Sequence, residues 1–253
     1  MQIENARAIV VGGASGMARA TAELLATHGA KVAVFDLPTS EGKKVADALG
    51  GSFFAVDITD EANVASAMQG ALDALGGLDV GVNVAGGGIA KRTLSKQGAH
   101  PLADFRRVVD LNLIATFDLL RQQAEAMSRN DPNEDGERGV VVNTASIAAF
   151  EGQIGQVAYA AAKAGIVGMT FVAARDLGSL GIRVNAIAPS LFSTGITKMI
   201  PDEMAGALTK DAAFPKRMGK PGEYALLAKA IIENPMLNGG TIRLDAGQRF
   251  APK

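Results

Sequence analysis

The feature that most constrains the fold is a glycine-rich turn between a short apolar run and a helical pattern near the start of the chain. Residues 6–11 are apolar enough for a buried strand, and Gly12-Gly13-Ala14-Ser15-Gly16 follows them directly. A helical pattern then runs from Arg19 to His28. Glycines in such a turn let backbone N–H groups at a helix N-terminus approach a pyrophosphate. Strand, turn and helix in this order predict the first unit of a dinucleotide-binding fold.

The second predicted strand ends in an acidic residue. Lys31 to Phe35 form this strand, and Asp36 follows it at a distance of twenty residues from Gly16. A carboxylate in this place is suited to accept a hydrogen bond from a ribose 2′-hydroxyl, and it would repel a 2′-phosphate. Leu37 offers no positive charge to such a phosphate. We therefore expect NAD rather than NADP, and the alternative for Asp36 is a solvated loop acid or a helix cap.

The alternation of strands and helices continues to the end of the chain without a linker-like stretch. It predicts an α/β fold: a single-domain Rossmann fold over residues 1–253, with a doubly wound parallel sheet of about seven strands and helices on both faces. Residues 89–101 are expected to be irregular, residues 102–128 one long helical region, residues 130–139 an exposed loop and residues 201–209 a short helix.

Residues able to carry chemistry follow the predicted strands. The carboxyl ends of parallel strands lie at one edge of a sheet, where ligands of such folds bind. The residues brought to this edge are Gly12 to Gly16, Asp36, Asp57, Asn83 to Gly86, Ser146 and Pro189. Their convergence indicates a single site, because scattered structural roles would not concentrate them there.

A Tyr-x-x-x-Lys pair lies in the second half of the chain. Tyr159 and Lys163 are four residues apart and share one face of a predicted helix. A neighbouring ammonium favours phenolate and should lower the pKa of Tyr159 from about 10. Such a phenol can exchange a proton with an alcohol or ketone, and Ser146 could hold the same oxygen. The alternative is an ordinary Tyr and Lys on one helix face, which the nucleotide site makes less attractive.

Composition excludes several classes of protein. The chain has no cysteine, which excludes disulfides, thiolate metal sites and cysteine nucleophiles. His28 and His100 are too few for a histidine-rich metal site, and the net charge of −1 with interspersed charges suggests no nucleic acid partner. The sequence contains no uninterrupted apolar run of the ~18 residues that a membrane span needs. The early first strand leaves no room for a leader, so we expect a soluble, cytoplasmic protein with a small-molecule substrate.

Taken together, these residues resemble the short-chain dehydrogenase/reductase family over essentially the whole chain. The resemblance implies catalysis by Ser146, Tyr159 and Lys163, with Asn112 holding a water that links Lys163 to solvent. Without the resemblance, Asn112 could equally be an amide that bends a helix or a core amide with satisfied hydrogen bonds. The implied cofactor-binding residues are Gly12, Ser15, Gly16, Met17, Asp36, Leu37, Asp57, Ile58, Asn83, Ala85, Gly86, Tyr159, Lys163, Pro189, Leu191, Phe192 and Thr194. The implied substrate-binding residues are Ser146, Gln153, Gln156 and Tyr159.

Three segments resemble a subfamily more closely. Phe35 to Pro38, Asn143 to Gln153 and Ile231 to Pro235 are similar to the type II 3-hydroxyacyl-CoA dehydrogenases, also described as hydroxysteroid dehydrogenases. The resemblance implies NAD as cofactor, a homotetramer, and interconversion of 3-hydroxyacyl-CoA and 3-oxoacyl-CoA. The early first strand favours a bacterial protein over an organelle-imported one. Alternatives are a dehydrogenase for a CoA-free secondary alcohol or steroid, an acetoacetyl-CoA reductase, and a catalytically idle NAD-binding regulator.

Two further features bear on substrate and assembly. Lys91, Arg92 and Lys96 lie in the loop at 89–101 and are either ligands for CoA phosphates or ordinary solvated charges. The alanines around Tyr159 let helices approach closely, which the resemblance associates with a helix face shared between subunits, although helix propensity alone would also explain them.

Overall fold

Seven parallel strands form one sheet in the computed structural model of the chain, which describes residues 1–194, 206 and 208–250. Its strands are β1 Arg7–Val11, β2 Lys31–Asp36, β3 Ser52–Ala55, β4 Val80–Asn83, β7 Gly139–Thr144, β8 Ile182–Pro189 and β9 Thr241–Leu244. Their order across the sheet is β3-β2-β1-β4-β7-β8-β9. The remaining strands, β5 Leu94–Ser95 and β6 Gly98–Ala99, pair antiparallel as a small hairpin.

Helices cover both faces of this sheet. They are α1 Gly16–Thr27, α2 Gly42–Ala48, α3 Glu61–Leu75, α4 Leu102–Val109, α5 Ala115–Met127, α6 Val157–Gly178 and α7 Pro221–Glu233. Alternate residues of β1 enter two cores, with Ala8 and Val10 packed towards α1 and α7, and Ile9 and Val11 towards α3 and α5. Strands buried on both faces read as continuous apolar runs, which explains the sequence pattern. The predicted doubly wound α/β fold is thus confirmed.

The strand order reverses between β1 and β4, and this reversal places the site. The chain runs from β1 outwards to β3 and then returns to add β4 on the other side of β1. The crossovers leave a crevice at the carboxyl ends of these two neighbouring strands. Gly12, just after β1, faces the backbone of Ala85, just after β4: a Cβ on Gly12 would lie 3.1 Å from Ala85 N.

Three local expectations are modified by the structure. The segment 89–101 is irregular only in part, because it contains the β5–β6 hairpin. The helical region 102–128 is interrupted by a π-helical turn at Asp110–Ile114. The loop at 130–139 buries Glu137, whose carboxylate pairs with Arg183 at 2.7 Å. The short helix expected at 201–209 lies largely outside the described residues.

Helix α6 qualifies one exclusion drawn from the sequence. By length and composition alone it is apolar enough to cross a membrane, and among the described residues it is the helix that passes this test. In this fold α6 packs against β8 and carries a buried lysine, Lys163, so it has the surroundings of a core helix. Its outer side is different: Phe171 and Val172 are 50% and 56% exposed.

Candidate active site

A cavity of about 380 Å³ opens at the crevice between β1 and β4. Most of the predicted cofactor residues line it: Gly12, Ser15, Gly16, Met17, Asp36, Leu37, Asp57, Ile58, Ala85, Gly86 and Thr194. They follow the carboxyl ends of β1, β2, β3, β4 and β8, which are distant in sequence, and the parallel sheet brings them together. The structure therefore brings these residues together, whereas Asn83, Ser146 and Pro189 of the expected set do not line the cavity.

The glycine turn forms the floor of this cavity. Gly12 and Gly16 have φ of +81° and +55°, a backbone region that favours glycine. A Cβ on Gly16 would lie 3.1 Å from the side chain of Thr194, so a larger residue would fill the space. Helix α1 begins at Gly16, and the N–H groups of its first turn are free of intrahelical acceptors. This cradle suits the pyrophosphate of a dinucleotide.

Two carboxylates stand at the far end of the cavity. Asp36 Oδ2 accepts a hydrogen bond from Ala14 N at 2.9 Å, and its Oδ1 accepts from Leu37 N at 2.8 Å. These bonds fix the carboxylate at the end of β2, beside the glycine turn. Asp57 Oδ1 accepts from both the hydroxyl and the backbone N–H of Thr59, and these bonds lower the pKa of Asp57. Both acids can therefore accept from ribose or adenine groups.

Ser146 and Tyr159 lie close to one another and are not among the residues that line this cavity. Ser146 caps a 3₁₀ turn at Ile147–Ala149, and its Oγ accepts from Ala148 N at 3.1 Å. Its hydroxyl also lies close enough to the phenol of Tyr159 to lower the pKa of that group. A Cβ on Gly88 would lie 3.1 Å from Tyr159 Cδ2, so glycine at this place lets the 86–88 loop pass close to the ring.

The electrostatics of this pair differ from the sequence expectation. Burial raises the pKa of Tyr159, and the nearby Ser146 hydroxyl opposes this rise. Lys163 was expected to lower that pKa, but burial outweighs such an effect and the pKa is raised, although Lys163 Nζ lies over the Tyr159 ring at 5.6 Å from its centroid. Burial instead lowers the pKa of Lys163 itself to about 8. The predicted direction was wrong because four-residue spacing places Lys163 beside Tyr159 but does not show how deeply the phenol is buried.

The ammonium of Lys163 is oriented by a backbone carbonyl. Nζ donates to Thr144 O at 2.8 Å. An ammonium has three N–H donors, so the group can still donate hydrogen bonds towards the cavity. A Cβ on Gly86, which lines that cavity, would lie 3.4 Å from Nζ. Lys163 is thus placed to reach a cofactor ribose.

Asn112 holds the loop beside Lys163 through its side chain. It lies in the π-helical turn, donates to Gly87 O at 2.6 Å and Val108 O at 2.8 Å, and accepts from Gly87 N at 3.1 Å. The side chain is therefore fully engaged, as a satisfied core amide would be. These bonds fix the position of Gly86 and its neighbours.

Several expected site residues do not line this cavity. The Asn83 side chain bonds Gln123 on α5 and Asn143 on β7. Phe192 is buried against Gly219 in the core. Pro189 ends β8 in register with Leu244, and Leu191 O accepts from Gly219 N at 2.9 Å. The substrate candidates Gln153 and Gln156 bond one another: Gln153 N donates to Gln156 Oε1 at 3.2 Å.

A second groove adjoins the catalytic residues. This hairpin groove, of about 480 Å³, is lined by Arg92, Thr93, Leu94, Gly152, Gln153, Ile154, Gly155, Val157 and Ala160. It runs between the β5–β6 hairpin and the start of α6. Of the basic residues expected to bind phosphates, Arg92 faces it, whereas Lys91 forms an ion pair with Asp104.

Sequence reasoning missed Thr144, whose carbonyl holds Lys163, and Gly88, which admits the Tyr159 ring. Thr144 is a polar residue at the end of an otherwise apolar strand, and Gly88 extends the Gly86-Gly87 run. Both features are visible in the sequence, but neither shows which side chain the residue contacts.

Comparison with known proteins agrees with this geometry. Residues 6–205 match the model of the short chain dehydrogenase family. The chain is 51% identical to a 3-hydroxyacyl-CoA dehydrogenase type-2 of Drosophila melanogaster, over 99% of this chain and 100% of that protein. The solved 3-hydroxyacyl-CoA dehydrogenase type-2 of Mycobacterium avium superposes with a TM-score of 0.94 at 42% identity, with complete coverage of both chains.

A further solved structure bears on the cofactor. A 7α-hydroxysteroid dehydrogenase in complex with NADH and 7-oxo glycochenodeoxycholic acid superposes with a TM-score of 0.87 at 30% identity, covering 100% of this chain and 98% of that one. The glycine cradle and the paired acids of the present cavity fit a nicotinamide dinucleotide. The fold, the cavity and the match over residues 6–205 lead to one conclusion: the chain belongs to the short-chain dehydrogenase family.

Proposed function

We propose that this protein is an NAD-dependent oxidoreductase that interconverts 3-hydroxyacyl-CoA and 3-oxoacyl-CoA. The observation that carries the reaction type is the meeting of Ser146, Tyr159 and Lys163 beside a cavity suited to a dinucleotide. The substrate class is supported by the names of the relatives that match along nearly the whole chain.

When bound, NAD would accept the hydride, and the residues of this chain act on the proton. Tyr159 takes the proton of the substrate alcohol as general base, a role worth about 10²–10⁴ in rate. Burial raises its pKa, so its ionised form needs a cation near it. Lys163, with a pKa of about 8, is charged at neutral pH and can supply that cation once it also holds the cofactor ribose. Ser146, beside the phenol, orients the substrate oxygen.

NAD rather than NADP is the cofactor that Asp36 favours. Its carboxylate is fixed at the cavity wall and would repel a 2′-phosphate, and Leu37 beside it carries no charge. Replacing Asp36 with Ala and Leu37 with Arg should shift preference towards NADP, because Arg pairs with phosphate. Equal use of both cofactors by the unaltered protein would show that Asp36 does not discriminate.

The experiment that tests the reaction is an absorbance screen of NAD reduction. Substrates are 3-hydroxyacyl-CoAs of several chain lengths, beside steroids and simple secondary alcohols. Turnover should be highest on the thioesters. Higher turnover on a CoA-free alcohol or steroid would favour that alternative, and NADH binding without turnover on any substrate would indicate a regulator.

Assembly as a homotetramer is the arrangement that the surface supports. Phe171 and Val172 on α6 are half exposed, and so are Ile114, the last residue of the π-helical turn, and Phe117 on α5. Ile114 and Phe117 line an open groove of about 820 Å³. Apolar helix faces of this kind are suited to burial against another copy. Light scattering at micromolar concentration should give four times the mass of one chain, and a monomer would contradict the proposal.

A further inference from the structure

A buried tyrosine outside the active site forms a hydrogen bond with a residue at the end of β7, the strand that leads to Ser146. Tyr224 lies on α7 and is fully buried. Its hydroxyl is 2.7 Å from Thr144 Oγ1, at the end of β7. Thr144 Oγ1 in turn lies 2.7 Å from Asn83 O, to which it can only donate. The hydroxyl proton of Thr144 is therefore committed, so Tyr224 must be the donor in the first bond.

Thr144 also touches the catalytic lysine through a different atom. Its carbonyl accepts from Lys163 Nζ at 2.8 Å, so one residue contacts α7, β4 and α6. Asn83 stands two residues before Ala85 in the cavity wall. Along the chain, Ser146 follows Thr144 by two residues. A movement of Thr144 would therefore displace the lysine, the cofactor wall and the serine together.

We propose that Thr144, anchored by the hydroxyl of Tyr224, is a positioning residue that aims the ammonium of Lys163 at the cofactor. The inference rests on the proposed function for the role of Lys163. Each member of the chain Tyr224–Thr144–Lys163 is at most 5% exposed. Solvent cannot replace a lost bond in such a place, and a fully satisfied buried network holds one arrangement.

The chemistry of a buried ammonium explains why a fixed carbonyl matters here. Burial disfavours the charged form of Lys163, and a well-placed acceptor offsets part of that effect. If Thr144 O moves away, the proton of Lys163 is held less firmly and is lost at lower pH. The pH dependence of any step that needs the ammonium should then shift towards acid.

The test compares variants of Thr144 and Tyr224. Thr144→Val keeps the carbonyl and removes only the hydroxyl, Thr144→Ser retains both, and Tyr224→Phe removes the anchor. Thr170→Val is the matched control, since the buried Thr170 hydroxyl donates to Ile166 O at 2.7 Å on the same helix as Lys163 but outside this network. Affinity for NADH is measured by fluorescence across about pH 6–10, the range in which a perturbed lysine titrates.

We expect Thr144→Val and Tyr224→Phe to lose NADH affinity at a pH about one unit lower than the unaltered protein does, and to lose about tenfold in kcat. Thr144→Ser should restore both, and Thr170→Val should change neither. An unchanged pH profile with only a lowered Tm would overturn the proposal, as would a serine variant no better than valine. If Thr144→Val does not fold, Tyr224→Phe decides alone.

The NADH measurement does not depend on the substrate. A protein that binds NADH but turns over no acyl-CoA would therefore contradict the proposed reaction while the positioning role of Thr144 is still decided by the pH profiles.

Discussion

Replacing Gly86 with alanine would place a methyl group against a side chain that cannot move aside. A Cβ at this position lies 2.6 Å from Asn112 Oδ1 and 3.4 Å from Lys163 Nζ. Asn112 is held by three hydrogen bonds, two to Gly87 and one to Val108 O. Relief of the contact therefore requires a shift of the loop or the loss of one of these bonds. Overpacking of this kind typically costs about 1–3 kcal/mol.

The assay follows both stability and cofactor binding. A loss of 1–3 kcal/mol corresponds to a fall in Tm of roughly 2–12 °C for a chain of this size. Because the new methyl group lies between the cofactor cavity and Lys163, we also expect NADH affinity to fall about tenfold, or about 1.4 kcal/mol. Thermal unfolding and NADH fluorescence titration measure the two effects separately.

The neighbouring glycines supply matched controls. A Cβ on Gly87 meets only Leu111 Cδ2, at 3.9 Å, which is an ordinary contact. Gly87→Ala should therefore leave Tm unchanged or raise it, since alanine restricts the unfolded chain. In Gly88→Ala the new methyl group would lie 3.1 Å from the Tyr159 ring, so this variant should lose activity mainly through a lower kcat. Equal Tm and equal NADH affinity for the Gly86 and Gly87 variants would refute the reasoning.

Three further predictions concern the catalytic residues and the hairpin groove. Tyr159→Phe should lose at least ~10²-fold in turnover yet bind NADH, and near-normal turnover would contradict the proton-transfer role. Lys163→Met should stabilise the cofactor-free protein by up to about 3 kcal/mol at pH 7. The pKa of Lys163 falls from 10.5 in the unfolded chain to about 8 in the folded protein. The buried charge therefore destabilises the fold fully below pH 8, and this destabilisation declines as the pH rises to 10.5. Unfolding curves showing a constant difference across that range would contradict this sign. Arg92→Gln should raise KM for acetoacetyl-CoA a fewfold in a salt-sensitive way, with a CoA-free ketone unaffected and Lys91→Gln as control.

The parts of the site that the sequence predicts are those with local signatures. The glycine turn and Asp36 belong to one strand–helix–strand unit, so their placement follows from the order of β1, α1 and β2. The doubly wound sheet follows in the same way from the alternation of elements. The contacts of Asn83 and Phe192 could not be predicted because their partners are distant in sequence. Asn83 bonds residues forty and sixty positions away, and Phe192 packs on Gly219.

Electrostatic expectations failed for a related reason. The pKa of Tyr159 depends on how deeply the phenol is buried and on where Lys163 points, and both are set by packing rather than by spacing. The β5–β6 hairpin was missed because strands of two residues are too short to show an alternating pattern.

The π-helical turn at Asp110–Ile114 makes the site sensitive to chain length. A π turn accommodates one residue more than the α-helix it interrupts, and each residue of an α-helix turns it by about 100°. Deleting one residue there would restore regular winding and rotate Asn112 away from Gly87, while α5 beyond it kept its own packing. Substitutions in this helix can be absorbed locally, whereas a single-residue deletion changes the phase between its two halves. Among homologous sequences, an alignment gap within 110–114 would therefore mark a protein with a differently built loop at 86–88.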